Sequence, residues 1–482
     1  MKATRSVVFC VALLSASIGQ PLPAFAQGSL TPPGPPAASM KSLDQIASQG
    51  IPLNSTNTLG DASNHFIISQ SGSYYLTGNL AVTEANAIRV SAAGVTIDLN
   101  GFEISHTGGT GSDGITILTT AHRCTVKNGS INAFNDGVDT ITTTARGCLF
   151  RDLSATASTG IAIRVGQGAV LENCRVHDCS GLAGIATGNG ATLVNCTASN
   201  NSAMNAIQTG NGCALTNCTA SGNTGTNGIT TGIGCSLNNC AAISNTISGV
   251  AINTLDGCSL TNCSAASNTA TAAIATTNNC SLNNCSANSN AAVSGIAAGF
   301  GNSLVNCSAG NNTSTAGMSV GISASFNSSI TNCTCFNNTT PASPTNSTAM
   351  GFNLTTDSVI QGCSASNNLG DGIRVGSHCT VLRNMVVANI VGAAGAGIHA
   401  TAGGNRIEGN NLVINPTGIN VEVGGNLVLG NSVSASSVVN YSIAANNRYG
   451  PIVNIVGSAP AVNGSSAAST LTSSDPWTNF SY

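Results

Sequence analysis

Asp113 lies in "GSDG" and Asp136 and Asp139 in "NDGVD", stretches that echo one another 23 residues apart. If the chain makes one turn per repeat, Asp113 and Asp136 stack within about 5 Å, the spacing of neighbouring strands. Carboxylates that close raise one another's pKa or share a hard cation, which makes Asp113, Asp136 and Asp139 a candidate Ca²⁺ site. The same letters also fit turns in which aspartate caps the backbone. Near the other end, Arg374 and His399 each follow a Gly-Ile pair, in "DGIRV" and "AGIHA", with Asp371 just before the first. By that alignment Asn353, Arg374, His399 and Asn420 form one outward column. Asp371, Arg374 and His399 are therefore candidate catalytic residues: a cation for a sugar carboxylate and an acid–base pair for its C5 proton. A solvated face with ordinary charges reads the same way. In "CRVHDC", 174–179, cysteine and histidine spacing fits either a metal or a surface turn.

Groups one repeat apart need a repeat to hold them. Cys174, Cys196, Cys218, Cys240, Cys263, Cys285 and Cys307 are spaced 22, 22, 22, 23, 22 and 22 residues apart, and Cys333 and Cys363 continue the series across insertions. A Gly-apolar pair recurs in step, from Gly114-Ile115 through Gly137-Val138, Gly160-Ile161 and Gly249-Val250 to Gly418-Ile419, giving about 14 units. Within a unit the alternation has period two, as in "CSLTNCSA", which is strand logic; Asn, Gly, Ser and Thr fill positions that helices avoid. The expected fold is all-β: a right-handed parallel β-helix solenoid of about 14 coils, about 60 Å long, with a short N-terminal cap and a C-terminal tail. Stacking makes Cys218, Cys240, Cys263 and Cys285 an inward column of reduced thiols, small buried hydrophobes rather than disulfides or ligands. Asn217, Asn239, Asn262 and Asn284, one residue earlier, are read as an inward amide ladder at a left-handed turn. On that reading the glycosylation pattern in Asn217-Cys218-Thr219 is a by-product, since an inward amide accepts no glycan.

Composition narrows the function classes. Only 6% of residues are charged and the net charge is −3, so there is no basic field for nucleic acid. Residues 1–26, with Lys2, Arg5, an apolar core and Ala24-Phe25-Ala26, read as a cleaved signal peptide, sending the chain to the periplasm, the cell surface or the medium. No later stretch is apolar enough to span a membrane. Residues 27–62 form a Pro-rich linker and N-terminal cap, with 39–49 fitting a short helix; 63–450 form the β-helix and 451–482 a C-terminal cap or tail. Trp477, Phe480 and Tyr482 in that tail either fold back on the body or contact the envelope.

"HFIISQSGSYYLTGNL", 65–80, followed by "GVTIDLNGFEI", 94–104, resembles the entry segment of secreted bacterial right-handed β-helix repeat proteins. These belong to the pectate-lyase-like superfamily, and the resemblance covers about residues 60–450. It implies the fold; activity would need motifs that are missing, since the chain has no Asp-Asp pair, Gly-His-Gly or Asp-Pro-His in the expected places. The expected function is a structural or binding role at the cell surface, with polysaccharide or cell envelope as partner and no required cofactor. The alternative is a polysaccharide lyase or uronate epimerase, with Ca²⁺ as a possible aid. A minor alternative is an ice-binding-like face formed by Ser236, Ser259, Ser281, Ser303 and Ser329. Exposed aromatics for sugar stacking are not expected between Ser180 and Thr356.

Overall fold

The computed structural model describes residues 50–108, 111–140, 145–314, 317–340, 349–390, 395–454 and 474–482; the signal-peptide stretch, most of the linker and its expected helix lie outside them. Among the described residues all helical or extended structure is β-strand. A central coil shows the plan: Val250–Thr254, Ser259–Thr261 and Ser264–Ala266 run along three faces. Each pairs in parallel with its counterparts one coil away. Ile252 sits between Ile229 and Ile274, Leu260 between Leu237 and Leu282, and Ala265 between Ala242 and Ala287. Strand alternation turns these residues inward, where all are buried, so the three walls are lined by isoleucine, leucine and alanine. Small residues on the third wall keep the interior narrow.

The isoleucine ladder passes through about 17 coils, from Asn64–Ile68 to Val439–Ile443. The glycine count misses the terminal coils because His65, Ala87 and Asn440 stand where glycine recurs elsewhere; Phe66, Ile88 and Ile115 are in register, as are Ile419 and Tyr441. Two counted pairs are also displaced. Val138 pairs with Ile163 rather than Ile161, and Ile229 with Ile252 rather than Val250. A shift of two residues keeps a side chain on the same face, so the pattern survived while the register slipped.

The corner between the leucine and alanine walls demands a left-handed residue: Asn217, Asn239, Asn262 and Asn284 have φ of 54–55°. That conformation turns their side chains outward, so the expected inward ladder is corrected. The amides are exposed and still link coils, Asn217 Nδ2 donating to Asn195 Oδ1 (3.1 Å) and Asn284 Nδ2 to Asn262 Oδ1 (2.7 Å). Burial therefore does not exclude Asn217 as a glycan acceptor. The buried ladder stands at the next corner, from Asn201 through Asn223, Asn245, Asn268 and Asn290 to Asn415. Asn245 Oδ1 accepts from both the backbone N–H (3.0 Å) and Nδ2 (2.9 Å) of Asn223, while its own Nδ2 donates to Ala220 O (3.0 Å) and Asn268 Oδ1 (2.8 Å). Each bond contributes about 0.5–1.5 kcal/mol, and each buried group left without one costs about 1–3.

Every cysteine from Cys124 to Cys379 is buried with a free thiol, Cys218, Cys240, Cys263 and Cys285 among them. Along the neighbouring column Cys258 donates its S–H to Gly232 O (3.2 Å), and its sulfur accepts the Cys235 N–H (3.3 Å). Burial pushes the Cys335 thiol well up, and those of Cys179 and Cys379 up, which suppresses the reactive thiolate. At the C-terminus, Asn479–Ser481 pairs with Ser432–Ser434 and with Ile452–Asn454, folding the tail back onto the body. Asn479 enters a buried column of its own, accepting the Asn431 N–H (3.0 Å).

Candidate functional site

Both charged clusters lie on the outer side of the isoleucine ladder, where register places side chains one coil apart. In the later coils Asn353, Arg374, His399 and Asn420 stack as the spacing requires. Gly370 (φ 152°) passes so near the preceding coil that a Cβ there would meet Ala349 O at 2.0 Å, and this close approach leads straight into fully buried Asp371. Asp371 Oδ1 accepts the Ala396 N–H (2.9 Å), and Oδ2 accepts from His399 Nδ1 (2.8 Å). The other imidazole nitrogen, Nε2, donates to Glu422 Oε1 (2.8 Å), a partner the spacing did not reveal because it lies beyond the end of its strand. Burial pulls the His399 pKa down, but the Asp371 and Glu422 carboxylates outweigh it and hold the imidazole above its ordinary value. Arg374 reaches Asp371 Oδ2 only at 3.9 Å and keeps 35% of its side chain exposed. This cluster is charge-balanced, and its free face carries Arg374, the two amides and half-exposed Glu422.

In the earlier coils Asp113 stacks on Asp136, as expected, and Arg164 joins them because Asp139 pairs in register with it. The guanidinium lies 3.2 Å from Asp136 Oδ2 and 3.7 Å from Asp139 Oδ1. Asp136 Oδ1 also accepts the Ile161 N–H (2.5 Å), and Asp113 Oδ2 accepts from Thr116 Oγ1 (2.9 Å). Asp139 Oδ1 is buried with no hydrogen-bond partner. Burial pushes Asp139 up to about 6; Arg164 opposes this, while Asp113 and Asp136 add to it. Burial also raises Asp113, helped by Asp136. Arg164 thus stands where the Ca²⁺ reading needs a metal. Among the described residues no group of three or more His, Cys, Asp and Glu side chains is placed to hold a metal ion. In "CRVHDC" both Cys174 and Cys179 are buried, while His177 faces out to Asp178 (2.9 Å).

Three continuous parallel ladders, one residue per coil in each column, decide the architecture. The chain is a parallel β-helix repeat protein. No family model and no curated protein matches this β-helix. Among solved structures it is similar to the A-module of the Azotobacter vinelandii mannuronan C-5 epimerase AlgE6, at 13% identity over 79% of this chain and 91% of that one, TM-score 0.24. It is similar to the catalytic domain of a GH87 α-1,3-glucanase in complex with nigerose, at 12% identity over 70% and 64%, TM-score 0.20. PfbA, a surface adhesin of Streptococcus pneumoniae, gives 11% identity over 67% and 83%, TM-score 0.20. Superpositions this loose transfer no residue role.

Proposed function

We propose that this β-helix is an exported polysaccharide-binding protein that engages its glycan on the isoleucine ladder around Arg374. The observation that carries this reading is the clamp on His399. Both ring nitrogens already donate to carboxylates, and Asp371 has both oxygens engaged, so neither group is free to take a proton from a substrate. The groups left facing outward are hydrogen-bonding ones: the Arg374 guanidinium, suited to a sugar carboxylate or vicinal hydroxyls, and the Asn353 and Asn420 amides in the same column. A panel of uronate and neutral oligosaccharides, measured by calorimetry against wild type and Arg374→Ala, tests it. Binding weakened about tenfold or more by Arg374→Ala supports the reading; binding unchanged by that substitution removes Arg374 from it.

A second reading, a uronate lyase or epimerase, is favoured by one feature. A buried carboxylate on Nδ1 orients the His399 ring with Nε2 outward, and the carboxylate covering Nε2 belongs to half-exposed Glu422. Were Glu422 to swing aside, Nε2 would face the substrate as a base after losing its proton. Unsaturated product absorbance or an altered epimer ratio from wild type, lost in His399→Gln, would establish catalysis.

A further inference from the structure

The edge where the isoleucine wall turns into the leucine wall carries a feature that the composition concealed. Phe300 and Phe326 occupy the same place in successive coils, since the Gly301 N–H donates to Phe326 O (2.9 Å) and Ser303 pairs with Ser329. Neither ring enters the core. Phe300 is 50% exposed and Phe326 44%, with ring centroids 5.3 Å apart and planes inclined at 44°. This corrects the expectation that exposed aromatics are missing from the central coils. Two phenylalanines held out in water gain little from folding, so their cost in solubility calls for an occupant.

We propose that Phe300 and Phe326 form a stacking platform for the pyranose rings of an extended glycan, a subsite continuous with the Arg374 column. The proposal rests on the polysaccharide reading above for its direction along the solenoid, and on the platform itself for its chemistry. Between Ser180 and Thr356 the only charged residue is Asp256, two coils before Phe300 in the same column, and the rings' immediate neighbours in that column are the uncharged Asn278 and Thr356. The platform is continued along the same edge by hydroxyls, Thr356 and Ser377, which lie in register and within 3.2 Å of each other. Aromatic faces beside hydroxyls suit a ligand with apolar C–H faces and a polar rim, which describes a pyranose. Two coils and three residues along the strand separate Phe326 from Arg374, about 14 Å, a gap an oligosaccharide bridges and a monosaccharide does not.

Uronate and neutral oligosaccharides of two to eight units, titrated into wild type, Arg374→Ala, Phe300→Ala/Phe326→Ala and Phe300→Trp/Phe326→Trp, test this, with thermal melts confirming that each variant folds. The platform predicts that the double alanine variant weakens binding of the long oligomers about tenfold, leaves the disaccharides unchanged, and is rescued by the double tryptophan variant. Long-chain binding that survives the double alanine variant overturns the platform, even where Arg374→Ala abolishes it and the site reading stands. Binding lost with the phenylalanines but indifferent to Arg374→Ala keeps the platform and removes the Arg374 site. A wild-type chain that holds neither uronate nor neutral oligomers, or whose rings instead drive self-association in sedimentation, overturns the platform.

Discussion

The Asp113/Asp136/Asp139/Arg164 cluster and the Asp371/Arg374/His399/Glu422 cluster occupy the same outer ladder of one solenoid, yet their electrostatics differ. The first sets three carboxylates against one guanidinium and leaves Asp139 Oδ1 buried without a hydrogen bond. The second pairs two anions with two cations and engages both nitrogens of its imidazole. Equivalent positions on one ladder therefore yield a frustrated site in one place and a satisfied one in the other; which residue lands one coil away makes the difference.

The largest break comes from removing the sole cation of the first cluster. Arg164→Ala should destabilise the fold by about 3 kcal/mol at pH 8, toward the low end for a broken buried pair because a third of the side chain meets solvent, and by less at pH 5. Urea midpoints at the two pH values check this. Next, Asp371→Asn removes the charge that both cations of the second cluster face; a loss of about 2 kcal/mol is expected by the same assay. Asp139→Asn should act with the opposite sign, stabilising by about 1–2 kcal/mol at pH 7, since it replaces a buried carboxyl whose ionisation burial opposes. Glu422→Gln, at a half-exposed partner, should cost below about 1 kcal/mol.

The two clusters also predict separate windows in the stability–pH curve. Asp139 in the folded chain holds its proton to about 6, above the ordinary 3.8, so its contribution falls as pH rises between those values and stays low above them. His399 is raised from 6.5, so its stabilisation is complete below that value and is lost as pH climbs through the folded pKa. Asp139→Asn should flatten the acidic slope, leaving the part that Asp113 contributes, and keep the other, and Asp371→Asn the reverse, with Glu422 holding part of the His399 slope.

Much of this was legible in the sequence because a solenoid writes its contacts as a period. The cysteine spacing and the Gly-Ile pairs fixed the fold class and placed Arg374 over His399 and Asp113 over Asp136. The rest was hidden for definable reasons. Taking Ile161 for the inward residue, where Ile163 stands, concealed that Arg164 is the neighbour of Asp139. The asparagine before each cysteine was assigned the wrong side because a left-handed corner turns its side chain out; Asn201, Asn223 and Asn245, equally periodic, were the buried amides. Glu422 belongs to no repeating column, and pattern alone does not find such a residue.

The clamp on His399 is the claim on which binding rather than catalysis rests, and nitrogen-detected NMR of histidine-labelled protein across pH reads it directly. The account predicts an imidazolium at pH 6.5 with both nitrogens protonated, a titration midpoint above 6.5, and a fall in that midpoint in Asp371→Asn. A midpoint at or below 6.5, with a neutral ring whose Nε2 lone pair is free at pH 7, would contradict it.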